Sequence, residues 1–165
     1  MISRFAAHFV FPISSPPIAK GMIEVDHDGT VVNLISPEGG LRELARMEFR
    51  NGIICPGFID LFREYPENEF FERFSDFLRY KALLPVHPTG DRGILEWMKA
   101  IQLSDGKISL EELFRMLILE PAAALGREAE LGTFDPGKRP GIMLIDRMDY
   151  RNLRLSEDSR VKRLI

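Results

Sequence analysis

The stretch Asn51–Glu64, NGIICPGFIDLFRE, contains two short apolar runs that are separated by a Pro-Gly pair. The first run, Ile53–Cys55, predicts a buried strand, and Pro56-Gly57 is a combination that ends strands. The second run, Phe58–Leu61, predicts a short strand that enters a different layer of the fold. The stretch therefore predicts a sharp corner, which divides a strand-rich N-terminal part from a helix-rich middle part.

The composition indicates an ordinary folded domain. The chain has 165 residues, of which 45% are hydrophobic, and it is predicted to form a single compact unit over residues 1–165. A net charge of −3 gives no electrostatic argument for nucleic acid or an anionic membrane as a partner. Cys55 is the only cysteine, which excludes an internal disulfide and fits a reducing compartment. No apolar run approaches the roughly 18 residues of a membrane span, so a cytoplasmic location is predicted.

The N-terminal part has the patterns of strands. Phe5–Ile13 predicts a strand rather than a signal peptide, because His8 interrupts its apolar run. Gly21–Val25 and Thr30–Ile35 predict a hairpin, since the Asp-Gly pair between them is a strong turn signal.

The two histidines in this part are more typical of structural positions than of ligands. His27 lies in the predicted turn, and His8 lies inside the first predicted strand. A short helical turn is predicted farther along, at Leu41–Ala45.

The middle of the chain has helical periodicity. Glu67–Leu84 predicts one amphipathic helix, in which phenylalanines recur at helical spacing. Ile94–Leu103 predicts a second helix. A third is predicted to begin at Ser109, because Glu112 three residues later completes a capping box. Pro121 predicts the start of a further short helix over Ala122–Leu125.

The last part returns to strands. Strands are predicted at Gly141–Asp146, around Asn152–Leu155 and at Arg160–Ile165. Strands at both ends with helices between them predict an α+β fold rather than a regular alternation of strands and helices.

Two parts of the sequence resemble the amidohydrolase superfamily, which comprises metal-dependent deaminases, dihydroorotases and hydantoinases. Gly52–Asp60 is similar to the string G-x-I-x-P-G-F-I-D that precedes the first strand of the catalytic barrel in that family. Ser109–Asp146 is similar to the closing segment of the family. The matching pieces are Glu120-Pro121-Ala122, Leu125-Gly126, Leu131-Gly132-Thr133, Pro136-Gly137-Lys138 and Met143-Leu144-Ile145.

The resemblance implies a particular fold. It implies a small β-sandwich, built from the strands of both termini, beside a (β/α)8 barrel. A barrel needs about 250 residues, and only 29 residues, Tyr65 to Gly93, lie between Glu64 and the helix predicted from Ile94. We therefore predict a β-sandwich lobe over residues 1–61 and 127–165, and a helical lobe over 62–126 with about four helices in place of the barrel.

The resemblance also implies a metal site that this sequence lacks. In the family, His-x-His follows the first motif and supplies two metal ligands, whereas Phe62 and Glu64 stand at those positions here. Glu64, His87 and Asp91 could converge on a metal only if the loop folded over the pocket. We therefore predict no catalytic residues, no metal and no cofactor.

The function predicted from these observations is non-catalytic. The chain is predicted to be an amidohydrolase remnant that acts as an interaction or regulatory module. One alternative is a hydrolase acting on carbon–nitrogen (non-peptide) bonds, with a site completed by another chain. Another is a small-ligand binding module that uses the aromatic helix. A homodimer is also predicted, with an interface that is centred on Phe70, Phe74, Phe77 and Trp97.

Overall fold

A computed structural model describes residues 1–37 and 47–165, and the helical turn predicted at Leu41–Ala45 lies outside the described residues. Within this part of the chain, seven strands form one mixed sheet. Their bounds are β1 Ser3–Val10, β2 Ile18–Ala19, β3 Met22–Val25, β4 Val31–Ile35, β5 Met47–Pro56, β6 Ile142–Asp146 and β7 Arg160–Arg163.

The sheet joins strands from the two ends of the chain. Its order is β4-β3-β1-β5-β6-β7, with β2 paired to the end of β1. β1 and β5 are parallel, and the other pairs are antiparallel. The α+β class is therefore confirmed. The β-sandwich is not confirmed, because the strands form one open sheet and helices cover the face where a second sheet was expected.

The helical part contains four helical units in the described residues. They are α1 Leu61–Glu64; α2 Glu67–Arg73 with α3 Ser75–Leu78; α4 Gly90–Ser104; and α5 Leu110–Phe114, which runs through a π-helical turn, Arg115–Leu119, into α6 Glu120–Ala124. A 3₁₀ turn, Lys81–Leu83, lies between α3 and α4. The predicted cluster of about four helices is confirmed.

The stretch Asn51–Glu64 forms the predicted corner, but its second half is not a strand. β5 ends at Pro56, and the amide of Gly57 donates a hydrogen bond to the carbonyl of Pro140 at 3.1 Å. The chain then leaves the sheet and enters α1, whose Leu61 is buried. The strand predicted at Phe58–Leu61 is therefore wrong, because both of its end residues pack into the core against the helices instead of joining a sheet.

The helix predicted over Glu67–Leu84 is broken. Phe74 has φ −122° and ψ 78°, which are outside the helical range, so α2 ends before it and α3 begins after it. The break turns the chain so that Phe77 stacks on Trp97, with ring centroids 5.7 Å apart. Packing on Trp97 decides the path of this segment, whereas periodicity alone predicts a straight helix.

The third predicted helix is confirmed at its start and extended at its end. The Ser109 hydroxyl accepts a hydrogen bond from the Glu112 amide, and the Glu112 carboxylate accepts one from the Ser109 amide. Pro121 does not begin a separate helix, because the preceding helix continues into it. Proline has no N–H to bond the carbonyl of Leu117, and the helix widens into a π turn just before it.

The two faces of the sheet have different cores. The helix-side core packs β5 and β6 residues such as Ile53 and Met143 against the helices. The far-side core lies on the other face around Phe134, and within residues 1–37 and 47–165 it contains no helical residue. Its members are Phe5, Ala7, Val10, Ile23, Val25, Val31, Ile54, Phe134, Ile142 and Leu144.

The C-terminal strands are confirmed in part. β6 and β7 match the predictions at Gly141–Asp146 and Arg160–Ile165, while the strand predicted around Asn152–Leu155 is reduced to one bridge between Asp149 and Arg154. The Arg154 guanidinium instead donates hydrogen bonds to the carbonyls at the end of α4, including that of Gln102 at 2.7 Å. No helix among the described residues is long and apolar enough to cross a membrane.

The corner at Gly57 leads to a first prediction. A Cβ atom at Gly57 would lie 2.6 Å from the Pro140 carbonyl oxygen, a backbone atom that cannot easily move. Gly57→Ala should therefore lower the free energy of unfolding by about 1–3 kcal/mol, as overpacking does. The matched control is Gly106→Ala, where no atom lies within 4 Å of the added Cβ. Urea denaturation that gives equal midpoints for the two variants would contradict the prediction.

The capping box leads to a second prediction. Hydrogen bonds from the Ser109 amide and hydroxyl hold the pKa of Glu112 below its ordinary value of 4.5. A carboxylate with a lowered folded pKa stabilises the fold above its unfolded pKa, and this contribution is lost as the pH falls through the folded pKa. Glu112→Gln should therefore lower stability at about pH 6 by less than about 1 kcal/mol, since the pair is exposed, and the difference from wild type should shrink toward about pH 3.

The neighbouring exposed residue supplies the control for this measurement. Glu111 is not part of the capping box, so Glu111→Gln should show no comparable pH dependence. Chemical denaturation of the two variants and the wild type across this pH range provides the comparison. A difference for Glu112→Gln that stays constant or grows on acidification would show that the sign is wrong.

Candidate functional site

The end of β5 brings three charged side chains into one region. Asp60 precedes α1, Asp91 lies in the first turn of α4, and Arg163 ends β7. Of these residues, only Asp91 is a candidate ligand predicted from the sequence. Arg163 is 72 residues from Asp91 in the chain, so no local pattern could have indicated that they meet.

Asp60 fixes the start of α4 to the end of β5. Its Oδ2 atom accepts a hydrogen bond from the Gly90 amide at 2.7 Å, and the Nε atom of Arg63 lies 3.9 Å away. Its Oδ1 atom is buried and has no hydrogen-bond partner in the described chain. Asp60 is therefore a positioning residue with one unused acceptor atom.

Asp91 and Arg163 form a two-point ion pair. The Arg163 Nη2 atom is 3.0 Å from Asp91 Oδ1, and its Nε atom is 3.3 Å from Asp91 Oδ2. Glycines at positions 57 and 141 make room for the guanidinium, because a Cβ at either would lie 3.1 Å from its Nη1 atom. The pair occupies both oxygens of the carboxylate, which leaves Asp91 poorly suited to bind a metal.

Cys55 lies in β5 next to this region and is fully buried. Burial, together with the negative charge of Asp91, raises the pKa of its thiol far above the ordinary value. A thiol that stays protonated is a poor nucleophile and a poor metal ligand. Burial and the raised pKa of its thiol therefore make Cys55 a core residue.

The residues at the expected histidine positions have different surroundings. Phe62 stacks on Phe70 with ring centroids 4.4 Å apart, and its edge faces Trp97 at 5.7 Å. Glu64 is exposed on α1, and His87 is exposed in the loop that precedes α4. The structure thus places a partly buried aromatic side chain, packed against the core, at the first position and a solvated carboxylate at the second.

Glu64, His87 and Asp91 are not brought together. Among the described residues, one group of three potential ligands has its donor atoms within 4.8 Å of one another, and it consists of Asp26, His27 and Asp28. Asp26 is already occupied there, because its Oδ1 atom accepts hydrogen bonds from the amides of Asp28 and Thr30 at 2.9 Å. This group is the predicted hairpin turn, and its hydrogen bonds explain why the pKa of Asp26 lies below the ordinary value.

His8 also has a structural environment. The pairing of β1 with β5 skips from Arg50 to Ile53, and the amide of Gly52 in this gap donates to His8 Nδ1 at 3.3 Å. The imidazole stacks on Tyr150 with centroids 4.7 Å apart. His8 therefore satisfies an amide that the irregular pairing leaves outside the ladder, which fits the structural interpretation.

The aromatic residues predicted to form an interface lie mostly inside the chain. Phe70 and Phe77 are 1% exposed and Trp97 is fully buried, while Phe74 is partly buried against the same cluster. The Trp97 Nε1 atom donates to the Tyr80 carbonyl at 3.1 Å. The rings of Phe70, Phe77 and Trp97 cover one another within one molecule, so these contacts give no support to the interface predicted at Phe70, Phe74, Phe77 and Trp97, which stays a prediction.

The described residues also form surface clefts that are not lined by Asp60, Asp91 or Arg163. A cleft of about 370 Å³ separates the loop at Ile13–Pro16 from α5, and one of about 590 Å³ lies between α4 and residues 154–157. The third, of about 490 Å³, lies between α4 and β7. Sequence reasoning did not indicate any of them, because each is lined by residues distant in the chain.

Comparison with family models, with curated proteins and with solved structures finds no match to this chain.

The buried aromatic cluster leads to a third prediction, which uses two neighbouring residues. Phe77 is 1% exposed and Leu78 is 52% exposed. Phe77→Ala should lower the free energy of unfolding by about 3–5 kcal/mol, because it empties part of the core, whereas Leu78→Ala should cost about 0.5 kcal/mol or less. Thermal unfolding followed by near-UV dichroism tests this. Similar losses for the two variants would mean that Phe77 is not a core residue.

Proposed function

We propose that the protein is a non-catalytic interaction module, built on an amidohydrolase-like framework whose metal site has been replaced by packing. The observation that carries this proposal is the position of Phe62, stacked on Phe70 at 4.4 Å where the resemblance expects a metal-binding histidine. A catalytic zinc typically needs three protein ligands and one open position. A phenyl ring supplies none of these ligands, and here it contributes to the core.

The second expected histidine position, Glu64, and the candidate ligand Asp91 support the same proposal. Glu64 is exposed and faces solvent, so it lies outside the packed region around Phe62. Asp91 is held by Arg163 through both carboxylate oxygens, and this ion pair lies close to the end of β5. The two expected histidine positions are thus occupied by a stacked phenyl ring and a solvated carboxylate, and the candidate ligand Asp91 is part of a structural ion pair. Each of these helps the fold rather than a reaction.

The single sheet is proposed to derive from the β-sandwich of the amidohydrolase family. The strands β1, β3 and β4 would correspond to one half of the family's sandwich, and β6 and β7 to the other half. The far-side core supports this view, because Phe134 and Ile142 from the C-terminal part pack with Ile23 and Val31 from the N-terminal part. In this proposal, loss of the barrel leaves β5 as a shared central strand, so that the two halves form one open sheet.

Location and assembly belong to the proposal as well. We place the protein in the cytoplasm, in agreement with its single buried thiol. The homodimer stays a prediction, which light scattering on a sizing column can measure. The burial of Phe70, Phe77 and Trp97 removes the surface on which that prediction was based.

One observation favours a second candidate, a hydrolase acting on carbon–nitrogen bonds. The Asp60 Oδ1 atom is buried without a hydrogen-bond partner in the described residues, at the strand end where the family's chemistry takes place. A partner chain could supply the remaining groups of a site there. The small-ligand module is less well supported, because the aromatic rings that would form its cage pack against one another.

The fourth prediction separates these candidates. Protein purified without chelators, incubated with zinc and then dialysed, should retain no stoichiometric metal by elemental analysis, and it should not hydrolyse a cyclic amide such as dihydrouracil. The variants Asp60→Asn and Glu67→Gln, the second a surface control, should behave like the wild type in both assays. One retained zinc per chain with hydrolysis, both lost in Asp60→Asn and kept in Glu67→Gln, would replace the first proposal with the hydrolase.

A further inference from the structure

The strand β7 has one unpaired edge. It is the last strand in the sheet order and pairs only with β6 in the described part of the chain. The amide of Leu164 donates to the carbonyl of Ile142 at 2.8 Å, so residue 164 faces β6. Because backbone groups alternate along an antiparallel strand, the N–H and C=O groups of Val161 and Arg163 point away from the sheet. They form a short row of available donors and acceptors.

A cleft runs beside this edge. Its volume is about 490 Å³, and its lining combines residues of α4, of β7 and of the turn before β7, namely Arg92, Leu95, Glu96, Ser159, Arg160 and Val161. An extended segment that pairs with β7 would lie along this cleft. The site therefore offers both backbone hydrogen bonds and a bounded surface, which are the two requirements for recognition by strand addition.

The charge beside the edge is positive. Arg92 and Arg160 are exposed, and within residues 1–37 and 47–165 neither side chain has a hydrogen bond or ion pair. The acidic residue of the lining, Glu96, is neutralised by Lys99 at 2.7 Å. Two guanidinium groups are thus left without a partner in a chain whose net charge is −3.

This charge argues against a second copy of the chain as the occupant. Pairing β7 with β7 would bring the sequence Arg160-Val161-Lys162-Arg163 against itself. Like charges directly opposite each other across a strand pair are destabilising. The edge is therefore protected from self-association and is complementary to a strand of opposite charge.

We propose that β7 binds an extended acidic segment of a partner protein, which adds to the sheet as a further strand. The inference rests on the proposed function as an interaction module and names the chemistry of the partner. Because side chains alternate along a strand, acidic residues on one face of the segment pair with Arg160 and Lys162. Residues on its other face lie against Leu95 and Val161, with Arg92 at the rim of the cleft.

The test uses a fluorescein-labelled octapeptide that alternates glutamate with valine, measured by fluorescence anisotropy at low ionic strength. Two further peptides carry N-methyl groups, one at every glutamate and the other at every valine. In a strand paired on one side, the amides of alternate residues face the partner, so only one of the two methylated peptides should lose binding. Equal binding by both, or equal loss from both, would overturn strand addition.

Charge variants test the location. The double variant Arg92→Glu with Arg160→Glu should weaken binding of the unmethylated peptide at least about tenfold, equivalent to about 1.4 kcal/mol. The control is the double variant Arg115→Glu with Arg151→Glu, which has the same change in net charge. Both arginines are exposed and lie outside this cleft. The affinity of this control for the unmethylated peptide should stay within about twofold of wild type. Equal weakening in both double variants would assign binding to overall charge and overturn the inference.

Folding of the variants is checked by far-UV dichroism. If the change at Arg160 in β7 disturbs the sheet, Arg92→Glu in α4 alone tests the location, since it leaves β7 unchanged. No binding of any peptide by the folded wild type would also end the inference. That result would leave the proposal of a non-catalytic protein in place, because the zinc and hydrolysis assays test it separately.

Discussion

The pairing of β5 on both of its sides is the constraint on which the rest of the structure depends. β5 lies parallel to β1 along one edge and antiparallel to β6 along the other, so it joins the N-terminal and C-terminal strands into one sheet. The corner at Gly57 then directs the chain out of the sheet and into the helices. Ile53 and Cys55 face the helix-side core, and Ile54 faces the far-side core. One strand therefore anchors both hydrophobic cores.

The helices depend on a second feature, the aromatic cluster around Trp97. Phe62, Phe71 and Phe77 all pack against its indole ring, and its N–H bonds the Tyr80 carbonyl. Aromatic rings bury large areas and prefer offset or edge-to-face contacts, so such a cluster can hold short helices that would not be stable alone. The same cluster takes up the position where a metal ligand was expected.

Several elements could be predicted from the sequence because their signals are local. The Asp-Gly turn between β3 and β4, the capping box at Ser109 and the end of β5 at Pro56 each depend on residues a few positions apart. Other elements were predicted wrongly because their conformation depends on contacts with residues that are distant in the chain. Phe74 breaks a helix so that Phe77 can reach Trp97, and Phe58–Leu61 packs against helices rather than forming a strand.

The sequence by itself determined the α+β class, the corner at Gly57 and the absence of His-x-His after it, since these follow from residue type and local spacing. Only the tertiary structure decided that the sheet is single and open, that Asp91 pairs with Arg163, and that α4 and β7 enclose a cleft with two arginines that have no partner among the described residues. The physical reason is that periodicity shows which faces of an element are apolar, whereas it does not show which other element covers them. Pairings across 72 residues of chain depend on how the whole core closes.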